Sequence, residues 1–319
     1  MDSQDALKIF ELENNIVPLS SADEKVYCFD SEQQKSQTEE RPWRNDIYYY
    51  EKVEISSIAL VKMVMHARSG GDIEVMGIML GKVVGKTMIV LDAFGLPVES
   101  TETRVNAQAE GNEYMVEYIE NGRLAGRNEP VIGWYHSHPG YGCWLSGIDV
   151  ATQKLNQQFT EPFLAVVVDP KRTMSAGKVD LGAFRTFPDN HQAAGTTGAG
   201  GNQGNVPLSK IEDFGVHSDK YYSLEVSYFK SSMDQQLMER LWRKHWINTL
   251  SQSPLITNND YTSQKVKDLA EKISLFSKET HKDASYAGIL REGDAIAEEL
   301  AQGHESNKLK MKLFGAIEE

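Results

Sequence analysis

Between residues 55 and 188 the apolar positions switch between two spacings. From Ile55 to Ala67 they recur three and four residues apart, the period of a helix, and Gly70-Gly71 ends the run. Glu74 to Val84 and Thr87 to Phe94 read as two strands joined by a turn at Gly85-Lys86. The pattern then predicts an amphipathic helix over 114–124, an aromatic-rich strand over 131–138 and a helix over 148–159. Phe163 to Asp169 is an unbroken apolar run, as expected of a strand buried on both faces. A further strand is predicted over 178–187.

The flanks differ in texture. Residues 1–48 are polar and acidic and read as an N-terminal extension, partly disordered, in which Ile9, Phe10 and Leu12 could dock a short helix. The segment 190–207 is rich in Gly, Ala, Thr and Asn and has no large apolar side chain except Val206, the signature of a flexible linker. After it come a predicted strand over 220–230 and a helical pattern at Leu237, Leu241, Trp242, Trp246 and Leu250. Helical patterns return over 263–275 and 286–314. The expected organisation is thus an extension (1–48), a mixed α/β domain (49–189), a linker (190–207) and a C-terminal strand plus helical assembly region (208–319). The helix over 233–250 either packs on its own domain or joins other chains.

Composition narrows the function classes. At 319 residues the chain is near the size at which one core divides into two. A net charge of −13 with no basic stripe argues against a nucleic-acid partner. Two cysteines, Cys28 and Cys143, are too few for a disulfide framework. The start has no basic n-region, and no run approaches the ~18 apolar residues of a membrane helix. A soluble intracellular protein without membrane contact is expected.

The chemistry concentrates around His136-Ser137-His138-Pro139. Alternation along a strand puts both imidazoles on one face, and Pro139, which donates no backbone hydrogen bond, ends the strand there. Asp149, eleven residues after His138, offers a third ligand. Three protein ligands leave a tetrahedral zinc one open position for water. Two unrelated polar residues at a strand end would read the same from His-x-His alone. Ser146 and Asp149 also fit an N-cap and its N3 partner, a reading compatible with the first. Glu74, at the head of an apolar strand, is either an exposed strand-end charge or the group that takes a proton from water and returns it to a leaving amine.

Taken together, Glu74, His136-Ser137-His138-Pro139 and Ser146-Gly147-Ile148-Asp149 resemble the JAMM (MPN-plus) metalloproteases. These are isopeptidases that remove ubiquitin or ubiquitin-like modifiers. The resemblance implies an MPN (JAB/MPN) domain, a central mixed curved β-sheet flanked by helices. It also implies one Zn2+ with a catalytic water, held by His136, His138 and Asp149. Glu74 would be the general base, and Ser146 would stabilise the oxyanion. No departure from the motif is visible.

Thr101 to Gln108, Gly182 to Pro188, Lys210 to His217 and Tyr221 to Ser232 are similar to the signalosome branch of that family. That likeness implies deneddylation, the hydrolysis of the isopeptide bond between a Nedd-type modifier and cullin lysines. Its implied partners are neddylated cullins and other signalosome subunits, especially another MPN-domain subunit, in cytoplasm and nucleus. A JAMM-type deubiquitinase and a non-catalytic MPN scaffold or transcriptional cofactor are the alternatives. The resemblance also implies that the loop Glu99 to Arg104, which includes Glu102, Thr103 and Arg104, holds the isolated enzyme quiet, with Glu102 at the open metal position and Arg104 taking the modifier's tail once the loop moves; an ordinary solvated turn is the alternative. Met76 and Trp144 either line a groove for that tail or belong to the core. Cys143, with no flanking base, reads as a small buried residue.

Overall fold

The structure, a computed structural model, describes residues 3–20, 23–99, 104–188, 206–207, 210–241, 259–278 and 283–314. Its strands are β1 (Val17–Pro18), β2 (Lys52–Ser56), β3 (Val75–Val84), β4 (Thr87–Glu99), β5 (Val131–Ser137), β6 (Leu164–Asp169), β7 (Asp180–Thr186) and β8 (Tyr221–Lys230). Its helices are α1 (Ser3–Glu13), α2 (Ser31–Glu40), α3 (Ser57–Ser69), α4 (Arg104–Leu124), α5 (Gly147–Phe159), α6 (Pro170–Ala176), α7 (Ile211–His217), α8 (Ser232–Leu241), α9 (Asn259–Lys278) and α10 (Asp283–Phe314).

All the strands join one mixed sheet in the order β1-β8-β2-β4-β3-β5-β6-β7. β2 runs parallel to β4 and to β8, and β5 parallel to β6. β7 also pairs with β8, antiparallel, so the sheet curls until one end meets the second strand from the other. The sheet therefore crosses the expected division at 190–207, because β8, which follows that segment in sequence, sits between β2 and β7.

One face of the sheet encloses α3. Its Ile58, Leu60, Val61, Met63 and Val64 are all buried, as expected of a helix covered nearly all round. Ser56 ties strand to helix by donating to the Leu91 carbonyl (2.9 Å) and accepting from the Ala59 amide (3.1 Å). The other face carries α5 and α7. Along β6, Leu164, Val166 and Val168 enter the α3 core while Ala165 and Val167 enter the second core. That double burial is why the strand reads as continuous rather than alternating.

Several elements depart from the pattern-based expectation. β2 occupies the start of the expected helix, since Val53 and Ile55 face the core while Lys52 is exposed. α4 starts ten residues before the expected 114, across Asn106, Gly111 and Asn112, residues of low helix propensity. In the N-terminal segment, Leu7, Ile9 and Phe10 are buried, whereas Leu12 is 68% exposed. α2 buries no side chain; Gln34 instead pairs its carboxamide with both the N–H and the C=O of Val83 (3.0 and 2.7 Å). Beyond the sheet, α9 and α10 pack on each other and α10 on α6. The buried ion pair Lys272–Glu292 (2.7 Å) and the partly buried pair Lys265–Glu299 (2.5 Å) join α9 to α10. No helix of the described residues is long and apolar enough to cross a membrane.

Candidate metal centre

β3 and β5 are antiparallel neighbours, with Met76 opposite His136. One step along, the Val75 amide donates to Ser137 Oγ (2.9 Å). Continuing this register puts Glu74 opposite His138, so strand pairing alone brings the base candidate to the histidines. Period-two alternation then gives His136 the same face as Trp134, whose ring stacks on it at 4.7 Å and 16°.

Asp149 comes from the first turn of α5. Ser146 caps that helix, and a capping box is complete: the Asp149 amide donates to Ser146 Oγ (3.3 Å), and the Ser146 amide donates to Asp149 Oδ2 (2.9 Å). The Ser146 hydroxyl also donates to Oδ2 (2.6 Å). The capping box is present, and it is compatible with the ligand reading, because the same oxygen faces the imidazoles.

His136 Nε2 and His138 Nε2 lie 3.1 Å apart, and Asp149 Oδ2 is 3.4 and 3.7 Å from them. Tetrahedral ligands on a zinc at 2.0–2.1 Å are separated by about 3.3–3.4 Å. The three atoms therefore already have the spacing that a shared ion imposes. His138 Nδ1 donates to the Gly142 carbonyl (3.0 Å), which leaves the Nε2 lone pair directed at the cluster. His136 has no such anchor; its Nδ1 is buried without a partner among the described residues.

The electrostatics fit a cation. Burial works to raise Asp149, yet the imidazoles, His136 foremost, hold it well below the usual carboxylate range. Burial works to lower His136, but Asp149 and then Glu74 lift it above its ordinary value. His138 is pushed down by burial. A metal bound there would replace the proton that Asp149 and Glu74 favour on His136.

Two participants were not evident from spacing. The Tyr141 hydroxyl donates to Glu74 Oε1, and its ring lies 4.5 Å from that of His138. Asp169, at the end of β6, accepts from the Gly140 and Gly142 amides. Of the two groove candidates, Trp144 belongs instead to the core: it is buried edge-on between His138 and Phe214, its N–H bonded to the Tyr141 carbonyl. Met76 is half-buried beside the same cluster. The Cys143 thiol is pushed up by burial, with Asp180 and Asp169 adding to the effect, so it is no thiolate nucleophile. Glu102 and Thr103 lie outside the described residues. Arg104 opens α4 rather than ending a loop.

A curled mixed sheet with one histidine on β5, a second just past its end and a helix-borne aspartate defines an MPN domain with a cluster able to hold a metal ion. The family described as JAB1/Mov34/MPN/PAD-1 ubiquitin protease matches residues 24–162, and the Cop9 signalosome subunit 5 C-terminal domain matches residues 251–315. COP9 signalosome complex subunit 5a of Arabidopsis thaliana is 55% identical over 291 residues, 90% of this chain and 81% of that protein. Subunit 5 of Dictyostelium discoideum is 55% identical (90% and 84% covered), and that of Drosophila melanogaster 57% (86% and 83%). The chain belongs to the COP9 signalosome subunit 5 family.

Proposed function

We propose that this chain is a zinc-dependent isopeptidase that works as a subunit of the signalosome and removes a Nedd-type modifier from cullin lysines. The observation that carries it is the convergence of His136, His138 and Asp149 beside Glu74 and Ser146, in a chain more than half identical to signalosome subunits over most of its length.

His136, His138 and Asp149 would hold the ion, which when bound acidifies water and polarises a carbonyl. Glu74 takes the proton that water loses as its oxygen adds to the isopeptide carbon, and delivers it to the lysine nitrogen as the C–N bond breaks. The Tyr141 hydroxyl holds Glu74 in place between those two transfers. Ser146, whose hydroxyl now donates to Asp149, turns that donor toward the carbonyl oxygen as negative charge develops there. Trp134 and Trp144 keep the imidazoles packed and bulk water away from them.

The partners that follow are other signalosome subunits, another MPN-domain subunit among them, and neddylated cullins, in cytoplasm and nucleus. A second reading, cleavage of ubiquitin conjugates, is favoured by the description of the family matched over residues 24–162. Metal analysis joined to cleavage assays on cullin–Nedd and ubiquitin conjugates, with and without chelator, separates the two from a scaffold. Glu74→Gln should lower cleavage by about 10²–10⁴-fold with metal content unchanged. A fully active Glu74→Gln protein, or cleavage that survives chelation, would sink the mechanism.

A further inference from the structure

We infer that Asp169 is a positioning residue for the metal centre: through the Gly142 amide it holds the carbonyl that sets the tautomer and direction of His138. This rests on the metal-centre reading above.

Asp169 is fully buried and is the N-cap of α6. Capping occupies one of its oxygens: Oδ1 accepts from the Lys171 and Arg172 amides, both at 2.9 Å. Serine, threonine or asparagine would do that work as well as aspartate. The rest of the carboxylate serves the loop after the histidines. Oδ1 also accepts from Gly140 N–H (3.0 Å), and Oδ2, which has no role in the helix, accepts from Gly142 N–H (2.9 Å).

Gly142 links Asp169 to His138. At φ +86° it adopts a backbone that side chains disfavour, and this lets its amide face Asp169 while its carbonyl accepts from His138 Nδ1 at 3.0 Å. A Cβ there would also sit 2.8 Å from Arg172 Nη1, so the guanidinium closes the loop from below. The chain of bonds runs from Asp169 Oδ2 to Gly142 N–H, and from Gly142 C=O to His138 Nδ1–H. Without the first link the second is no longer held. His138 would then be free to turn or to move its proton to Nε2, the atom that faces His136 and Asp149. Such a partner once removed from a metal ligand typically governs about 10–100-fold in metal affinity.

The test uses the full chain, stripped of metal and titrated with Co2+, whose visible absorption reports tetrahedral binding. Asp169→Asn keeps an oxygen for the α6 cap but turns an NH2 toward the Gly142 N–H. It should weaken cobalt binding by about 10–100-fold. Thr173→Val disturbs the same helix, removing a hydroxyl that donates to the Asp169 carbonyl (2.7 Å) and accepts from the Asp180 amide (3.0 Å), but leaves the loop alone. It should bind cobalt within about twofold of the parent. Equal cobalt affinity in Asp169→Asn and the parent overturns the inference, as does an equal loss in both variants. A readout that needs neither metal nor variant is the nitrogen spectrum of labelled histidine in the parent at pH 8. His138 should carry its proton on Nδ1, and a proton on Nε2 defeats the proposal even if Asp169→Asn fails to fold. A parent chain that binds no cobalt defeats the metal-centre reading instead, and the His138 nitrogen spectra of parent and Asp169→Asn, compared without metal, then decide the role of Asp169: an unchanged tautomer overturns it.

Discussion

Two helices start after the Gly140–Gly142 loop, and a carboxylate in each start does more than cap. At α5, Asp149 completes a capping box with Ser146 and points the same oxygen at two imidazoles. At α6, Asp169 caps with one oxygen and holds the loop with both. Their surroundings act in opposite directions. The imidazoles hold Asp149 well below the carboxylate range, while burial, with Asp180 nearby, lifts Asp169 to about 6. A helix start supplies the same amides in both places; the neighbours decide whether the carboxylate becomes a ligand or a brace.

The sharpest break of this comparison is Asp149→Asn. It should abolish cleavage and metal binding together, while the metal-free protein loses only about 1 kcal/mol, the scale of a helix cap. Metal analysis, a conjugate-cleavage assay and chemical denaturation read the three quantities. Retained metal would mean that the α5 carboxylate is a cap and nothing else.

Ser146 tests the same helix start more finely. Ser146→Ala should lower the cleavage rate by about 10²–10³-fold and cost about 1 kcal/mol of stability. Glycine is a tolerable N-cap, so Ser146→Gly should recover most of the stability and none of the rate. If rate and stability recover together, the serine is structural.

Metal affinity should itself depend on pH. His136 is raised above its ordinary value by Asp149 and Glu74 against the pull of burial, so the metal-free site keeps a proton there to higher pH than an ordinary imidazole does. The metal needs the neutral imidazole and expels that proton. Affinity should thus fall as pH drops below the His136 pKa, approaching about tenfold per pH unit for one proton displaced. Competition with a chelator at pH 6 and pH 8 measures it; a flat response would mean that His136 is not a ligand.

How much of this was legible in the sequence follows from which interactions are local. The motif residues could be read because strand alternation and one helical turn bring His136, His138, Ser146 and Asp149 together over a short stretch. Glu74 was readable as chemistry but not as a neighbour, since its approach to His138 depends on how β3 pairs with β5. Asp169 was invisible: it ends an apolar strand like any helix cap, and its hold on Gly142 spans 27 residues. The helical period hid β2, whose two inward residues are too few to establish an alternation. β8 was read as a strand but not as part of the sheet, because no local pattern tells where a strand inserts.

The last test concerns the α6 start. Asp169 titrates at about 6 when folded against 3.8 as its reference, so between those values the folded chain holds a proton that the unfolded chain has released. The folded state is then favoured at low pH, and this contribution is lost as pH rises through about 6. The rise corresponds to no more than about 3 kcal/mol, and the neighbouring Asp180 and Arg172 share in it. Acid exposure of other carboxylates pulls the other way, so the total curve conceals this component. The difference curve between parent and Asp169→Asn isolates it, because asparagine does not titrate. Denaturation midpoints at half-unit steps from pH 4 to pH 7.5 should show the parent losing stability relative to Asp169→Asn across that window, then running parallel above it. A difference that is flat from pH 4 upward would mean that the amides of Gly140, Gly142, Lys171 and Arg172 fully compensate the burial of the charge. The two helix starts would then differ in their neighbours but not in the sign of what those neighbours do.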